Sequence, residues 1–295
     1  MTRHFAPLAA AFFAATLAVT PALAVDDEAA RDQRWTSLRQ EVFGDRKVEE
    51  SKDVVSLEAP VRAEDASLVP MALKTADPAS IKGLTLVIDE NPGPVAARVT
   101  FGPAGDAGLL KLRTRVNTYT NVHAVAETTD GKLFQTARFV KASGGCSAPA
   151  GTSEADAMRG MGEMRLKIRD EVTPGKSAQA TLMIRHPNFN GMQMDQITRS
   201  YTPARYIKEI KVTYNDKDVF ALESDISLST DPVIEFGFKP EAKGQLKVAA
   251  TDTADGHWEK TFDVPTQSNF QLSALRPIAL VRAMKSTYFW MFWGV

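Results

Sequence analysis

Cysteine is nearly absent. Cys146 is the only one in 295 residues, which excludes an internal disulfide and any zinc or iron–sulfur site built from cysteines. Histidine is scarce as well: His4, His123, His186 and His257 are the full set. No two of them stand at an H-x-x-x-H spacing that would put two imidazoles on one helical face. An excess of charge of either sign is lacking, since 35 Lys and Arg face 36 Asp and Glu for a net charge of −1. No strong field therefore favours nucleic acid. A nucleophile elbow is missing, as is a glycine-rich phosphate loop leading into a helix. Asn215, Asp216 and Asp218 resemble the start of a calcium loop, but the sixth-position glycine and the twelfth-position glutamate are absent. Met158, Met161 and Met164, with Met183, Met192 and Met194 downstream, could offer thioethers to Cu(I). The preferred reading is that these flexible side chains fill gaps between domains. No metal, no cofactor and no catalytic constellation are expected.

What is present is a polypeptide with 44% hydrophobic residues, enough for a core. At about 100–200 residues per domain it suggests two small domains. Residues 1–24 read as a signal peptide. Arg3 and His4 form a basic start, Ala9 to Val19 is the apolar run, and Ala22-Leu23-Ala24 is an A-x-A cleavage site. The mature chain then begins near Val25. No twin-arginine pair occurs, so export by the Sec route to a periplasm is expected. A lone cysteine in an exported protein points to intermolecular pairing or reactive-thiol chemistry.

A helix is predicted from Asp26 to Phe43, with Trp35, Leu38 and Val42 on one face and Gly44 as its stop. Short apolar runs at 54–57 and 69–73 read as strands. From Ile81 to Val140 a series of β-rich runs is separated by turn clusters, among them Asn91-Pro92-Gly93-Pro94 and the hairpin signal Asp130-Gly131. Residues 25–142 thus read as one β-sandwich preceded by a short helix. Alternation resumes at Met164 and continues through strands near 178–185, 206–214, 219–222, 233–238, 245–251 and 258–264, with turns at Asn215-Asp216 and Asp255-Gly256. Residues 161–266 read as a second sandwich. The expected fold class is all-β: two Ig-like β-sandwich domains joined by a flexible Gly/Cys linker, with a short N-terminal helix. Residues 267–295 form a tail whose Tyr288-Phe289-Trp290-Met291-Phe292-Trp293 is densely aromatic. That run is too short to span a bilayer, which needs about 20 apolar residues. It could pack on its own domain, or make weak contact with a membrane or a partner.

Between the two sandwiches, residues 143–160 form the linker. Gly144 and Gly145 precede Cys146, and small residues follow it. On composition it is either a domain linker that happens to hold a thiol, or an arm that presents one; the glycines supply backbone freedom.

The order of these features resembles the sulfur-oxidation carrier SoxYZ with its two subunits fused. The first half resembles SoxY in its early helix, Val69-Pro70, Ile88-Asp89-Glu90-Asn91-Pro92, Ala124-Val125-Ala126-Glu127, Asp130-Gly131-Lys132-Leu133, and Val140 leading to Gly144-Gly145-Cys146. The second half resembles SoxZ in Leu182-Met183-Ile184-Arg185-His186-Pro187, Gly191, Pro203-Ala204 with Tyr206-Ile207, Val212-Thr213-Tyr214-Asn215, Val219-Phe220 and Ser227 to Pro232. The fused form is similar to carriers found beside periplasmic quinoprotein dehydrogenases. The resemblance implies Ig-like sandwiches and a non-enzymatic carrier whose Cys146 holds a sulfur intermediate covalently, thiosulfate-derived or otherwise, between partner enzymes. It implies partners among periplasmic sulfur-oxidation enzymes, or a quinoprotein dehydrogenase and its c-type cytochrome. The family arm ends in Gly-Gly-Cys-Gly-Gly at a free C-terminus, whereas here Ser147-Ala148-Pro149 follow and the chain continues. Cys146 is expected to be solvent-reactive, with Gly144 and Gly145 giving the arm its freedom. His186 is either a group supporting the thiol or a turn histidine bonded to backbone. The alternative function is an accessory module that docks on a quinoprotein dehydrogenase or its cytochrome, with the thiol incidental.

Overall fold

The run Leu84-Thr85-Leu86-Val87-Ile88 is apolar on both of its faces, and every one of these residues is buried. A strand with such a run must be covered on both sides, and that requirement orders the first half of the molecule. One side faces the core of a sandwich. On the other, the helix α1 (Glu28–Phe43) lies across the sheet and buries Trp35 and Leu38 against Val87, Val125 and Leu133. Trp35 stacks on His123 with ring centroids 3.7 Å apart. The helix ends where Gly44 was expected to stop it, the Gly44 N–H bonding back to the Gln40 carbonyl at 2.9 Å. These relations come from a computed structural model, which describes residues 28–148, 153–169, 172–195, 199–241 and 243–265. Residues 1–24, read as a signal peptide, and the aromatic tail lie outside the described residues.

The first half contributes β1 (Val48–Glu50), β2 (Val55–Glu58), β3 (Val69–Thr75), β4 (Ile81–Ile88), β5 (Val95–Phe101), β6 (Gly105–Thr114), β7 (Thr120–Thr128) and β8 (Leu133–Val140). The second contributes a short helix α2 (Glu154–Met158), then β9 (Met164–Ile168), β10 (Ala178–Ile184), β11 (Ile207–Tyr214), β12 (Lys217–Ser224), β13 (Val233–Phe238), β14 (Gly244–Asp252) and β15 (His257–Val264). The fold is all-β, with two Ig-like sandwiches and a short N-terminal helix.

More than the linker joins the two sandwiches. Their strands merge into two sheets that run through both halves, in the orders β1-β8-β7-β4-β5-β12-β11-β14-β15 and β2-β3-β6-β13-β10-β9. In the first sheet β5 pairs antiparallel with β12, placing Phe101 beside Phe220 and Val99 beside Leu222. In the second, β6 pairs with β13, placing Lys111 beside Glu235 and Gly105 beside Phe238. The halves meet edge to edge, and unpaired strand edges, an aggregation liability in isolated domains, are satisfied by one another. Gly105 sits where a side chain would collide with the Val219 carbonyl, so the turn from β5 into β6 can hug β12 only with glycine there.

The core is continuous across the junction. Phe220 and Phe236 face each other across the layers, ring centroids 4.9 Å apart and edge to face. Because both sheets and the core cross the seam, the protein should unfold in one cooperative transition. Phe236→Ala should lower stability by about 3–5 kcal/mol while leaving that transition single in chemical denaturation followed by fluorescence. Two resolved transitions, only one of them shifted by the substitution, would show that the halves fold independently.

Candidate functional site

Cys146 is fully buried. The stretch expected to present it to solvent instead folds back into the seam between the halves. The Gly144 N–H donates to the Asn117 carbonyl at 2.7 Å and the Gly145 N–H to the Val116 carbonyl at 3.2 Å. A Cβ on Gly145 would fall well inside contact distance of the Ala66 and Val116 carbonyl oxygens. Gly145 thus serves a close backbone approach in this structure rather than freedom of movement, and Gly144 takes a left-handed φ of 73°. Residues 149–152 of the stretch lie outside the described residues, and α2 follows directly after them.

The second half holds the cysteine through its backbone. The Asn190 amide donates to the Cys146 carbonyl at 2.7 Å, and the Gln193 amide to the Ala148 carbonyl at 3.2 Å. From the first half, the Arg115 guanidinium donates to the Gly145 carbonyl at 3.5 Å. Three side chains therefore bind the carbonyls at, before and after the cysteine. Among the described residues the thiol itself has no hydrogen-bond partner. Ser153 caps α2 by accepting from the Asp156 N–H, and Arg185 donates to the Arg159 carbonyl at 2.6 Å. The far end of the tether is thus anchored separately.

Arg115 is the largest fully buried side chain. It also donates to Thr230 Oγ1 at 2.8 Å and to the Asn188 carbonyl at 3.4 Å. The strand β6 releases its backbone after Thr114, because other groups claim it. The Asn91 amide binds the Arg115 carbonyl at 2.7 Å and Ser227 Oγ at 2.8 Å, while Asn91 Oδ1 accepts from the Asn117 N–H. Asn91 thereby ties the turn after β4, the segment after β6 and the second half into one joint.

His186 is also buried, behind Asn188 rather than against the thiol. Its Nδ1 accepts from the Asn188 N–H at 3.1 Å, which leaves the proton on Nε2, 3.3 Å from Asp252 Oδ2. Burial lowers the His186 pKa against the opposing pull of its partners, so the ring is neutral near neutral pH. Burial works to raise the Asp252 carboxyl, but hydrogen bonds from Arg205, from the Gly256 and Ala254 backbone and from His186 hold it below its usual range. Of the two readings of His186, the geometry matches the bonded turn residue. It supports Asn188, whose left-handed backbone (φ 44°) and side chain organise the loop: Nδ2 donates to the Ser229 carbonyl at 2.8 Å and Oδ1 accepts from the Ile207 N–H at 3.0 Å.

Arg115, Asn188, Asn190 and Gln193 were not singled out in the sequence. The available signal was the asparagine-rich, irregular His186–Gly191 segment following a strand. Asn91 stood in a motif already noted, with no hint that it reaches 136 positions ahead to Ser227. Among the described residues no group of three or more His, Cys, Asp or Glu could hold a metal ion, and no helix is long and apolar enough to cross a membrane.

Chemically the seat keeps the thiol latent. Burial pushes the Cys146 pKa from an ordinary 9.0 to about 11, against the favourable charge of Arg115. The thiolate is the nucleophile, and at pH 7 the docked form holds it in on the order of one molecule in ten thousand. The raised value means that the docked arm binds its proton more tightly than the released arm. Docking is therefore unaffected by pH below about 9 and weakens as pH rises from 9 toward 11. Iodoacetamide labelling of the native protein should show this latent profile, its rate still climbing above pH 9. Asn190→Ala should raise the rate at pH 7.5 by about fivefold to thirtyfold, as one hydrogen bond of about 1–2 kcal/mol is lost from the docked state. A wild-type profile that levels off near pH 9, at the rate of an unfolded control, would contradict the seat.

Residues 39–146 match the family model of the sulfur oxidation protein SoxY, and residues 165–263 that of the sulphur oxidation protein SoxZ. The two matches lie in tandem, span most of the chain, and the first ends on Cys146. No curated protein matches. Among solved structures, the sulfur carrier protein SoxY from Chlorobium limicola f thiosulfatophilum is 24% identical over 39% of this chain and 96% of its own, with a TM-score of 0.32. A superoxide reductase (neelaredoxin) from Ignicoccus hospitalis is 12% identical over 39% of this chain and 89% of its own, with a TM-score of 0.27.

Proposed function

The chain is a SoxY–SoxZ fusion of the sulfur-oxidation carrier family, and from that premise we propose that it carries a sulfur intermediate covalently on Cys146 and hands it between partner enzymes without catalysing the chemistry itself. The observation that carries this reading is the seat of Cys146. The chain's single thiol lies at the end of the SoxY match, and polar side chains of the SoxZ half hold it by its backbone carbonyls. Such bonds leave the sulfur unengaged and can be exchanged for water when the arm leaves.

The carrier alternates between two states. Docked, the thiol is protonated and shielded. Released, it regains its ordinary pKa of about 9 and meets a partner's active site. The arm is tethered at both ends, so its travel is set by the residues between the Gly144 anchor and α2. Joining thiosulfate to the thiol gives Cys–S–S–SO₃⁻ and releases one proton and two electrons. The reading therefore includes an electron-accepting partner, such as the c-type cytochrome implied by the resemblance. The same resemblance makes a quinoprotein dehydrogenase a candidate partner, and Sec export to the periplasm, read from residues 1–24, belongs to the same proposal. The aromatic run Tyr288 to Trp293 remains a candidate for weak partner or membrane contact.

The test is the mass of Cys146 in protein isolated from cells grown with and without thiosulfate. An adduct removable by reductant is expected, present in the native protein and missing from Cys146→Ser, with growth or oxidation on the sulfur source lost in the variant strain. An unmodified thiol together with a Cys146→Ser strain of normal phenotype would leave the accessory-module reading in its place.

A further inference from the structure

The outer face of the six-stranded sheet holds a cleft of about 490 Å³ that crosses the seam. Its apolar wall comes from Ala59, Pro60, Pro70 and Ala72 in the first half and Val233 in the second. Two guanidinium groups, Arg113 and Arg138, reach its rim. Neither makes an ion pair among the described residues. The carboxylates that share the cleft are already engaged: Glu58 pairs with Lys74, and Glu235 binds both Lys111 at 3.2 Å and Arg169 at 2.7 Å. Arg138 acts on Glu58 only at longer range, as a minor contributor to its lowered pKa.

The volume lies in the range of small-molecule sites, about 300–1,000 Å³, and such sites combine apolar walls with a few convergent polar groups. The walls are built on hydrogen-bonded strands: β3 and β6 place Pro70 beside Arg113, and β6 and β13 place Lys111 beside Glu235. The rim beyond the two arginines alternates in sign, so an extended acidic protein surface finds no matching field. A single anionic head does. Guanidinium offers paired N–H donors that match a planar or tetrahedral oxyanion, and the floor offers cover for an apolar body.

We infer that this cleft binds a small organic anion, a sulfonate or carboxylate with a compact apolar body, held at its charged end by Arg113 and Arg138. The site needs both halves, because Val233 and Glu235 come from β13. It is separate from Cys146, which does not line it.

The experiment is calorimetric titration of the full-length protein with naphthalene-2-sulfonate, set beside the neutral 2-naphthalenemethanol and inorganic sulfate. Saturable one-to-one binding of the sulfonate is expected, with each of the other two at least about tenfold weaker, since head and body contribute separately. Arg113→Gln and Arg138→Gln should each weaken the sulfonate by about tenfold, the loss of one charge-assisted contact. Both arginines are exposed, so the variants should keep the wild-type melting temperature. Cys146→Ser should bind normally, so the result is independent of the carrier reading. No saturable binding up to about 10 mM, weaker than any useful small-ligand affinity, would overturn the inference. Equal affinity in the double variant would overturn it too, and so would binding of an acidic peptide with none of the sulfonate.

Discussion

Edge pairing between the two halves is the constraint on which the rest depends. When β5 meets β12 and β6 meets β13, two sandwiches become two continuous sheets around one core. The same pairing brings the loop after β10 against the segment after β6, and so creates the seat into which the cysteine stretch folds. Neither half alone supplies that seat. Arg115 and Asn91 come from one side, and Asn188, Asn190, Gln193, Ser227 and Thr230 from the other. Fusion of the halves in one chain holds this arrangement at high effective concentration.

A buried arginine is costly unless its donors are met. Arg115 is lowered in pKa by burial and supported by the charge of Asp65. Its Nη atoms reach two backbone carbonyls and a hydroxyl, while Nε has no partner among the described residues. Departure of the cysteine stretch takes away the Gly145 carbonyl and admits water to the guanidinium, which eases its desolvation. The balance between a shielded thiol and a released one is therefore a contest of modest terms. Docking gains a few hydrogen bonds and a small apolar contact, and release gains hydration of a buried cation and freedom of the backbone.

Much of this was legible in the sequence. The apolar run at Leu84–Ile88, the face of Trp35 and Leu38, and the turns at Asp130-Gly131 and Asn215-Asp216 obey local rules, and the elements formed where those rules put them. Cys146 stood out by being alone. The seat was not legible, because its determinants are long-range. Asn91 and Ser227, or Asn190 and Cys146, meet only after the strand edges have paired, and edge pairing leaves no periodicity in either strand. Glycine misled for a physical reason. Composition offers Gly144 and Gly145 as a source of freedom, whereas the absence of a Cβ at 145 also allows the chain to press against two carbonyl groups. His186 was ambiguous for the same cause, since only the fold reveals that Asp252 and Asn188 claim both ring nitrogens.

The central claim is that Cys146 is latched in a seam and reached by local release of its stretch rather than by unfolding of the protein. Thiol labelling of the native protein across a series of low urea concentrations tests this most directly. Local release exposes little surface, so the labelling rate should hardly depend on urea until the global transition begins, and should sit well below the rate of an unfolded thiol. A rate that follows the full denaturant dependence of global unfolding would show a cysteine locked into the core, and a rate equal to that of an unfolded thiol would show that no seat exists in solution.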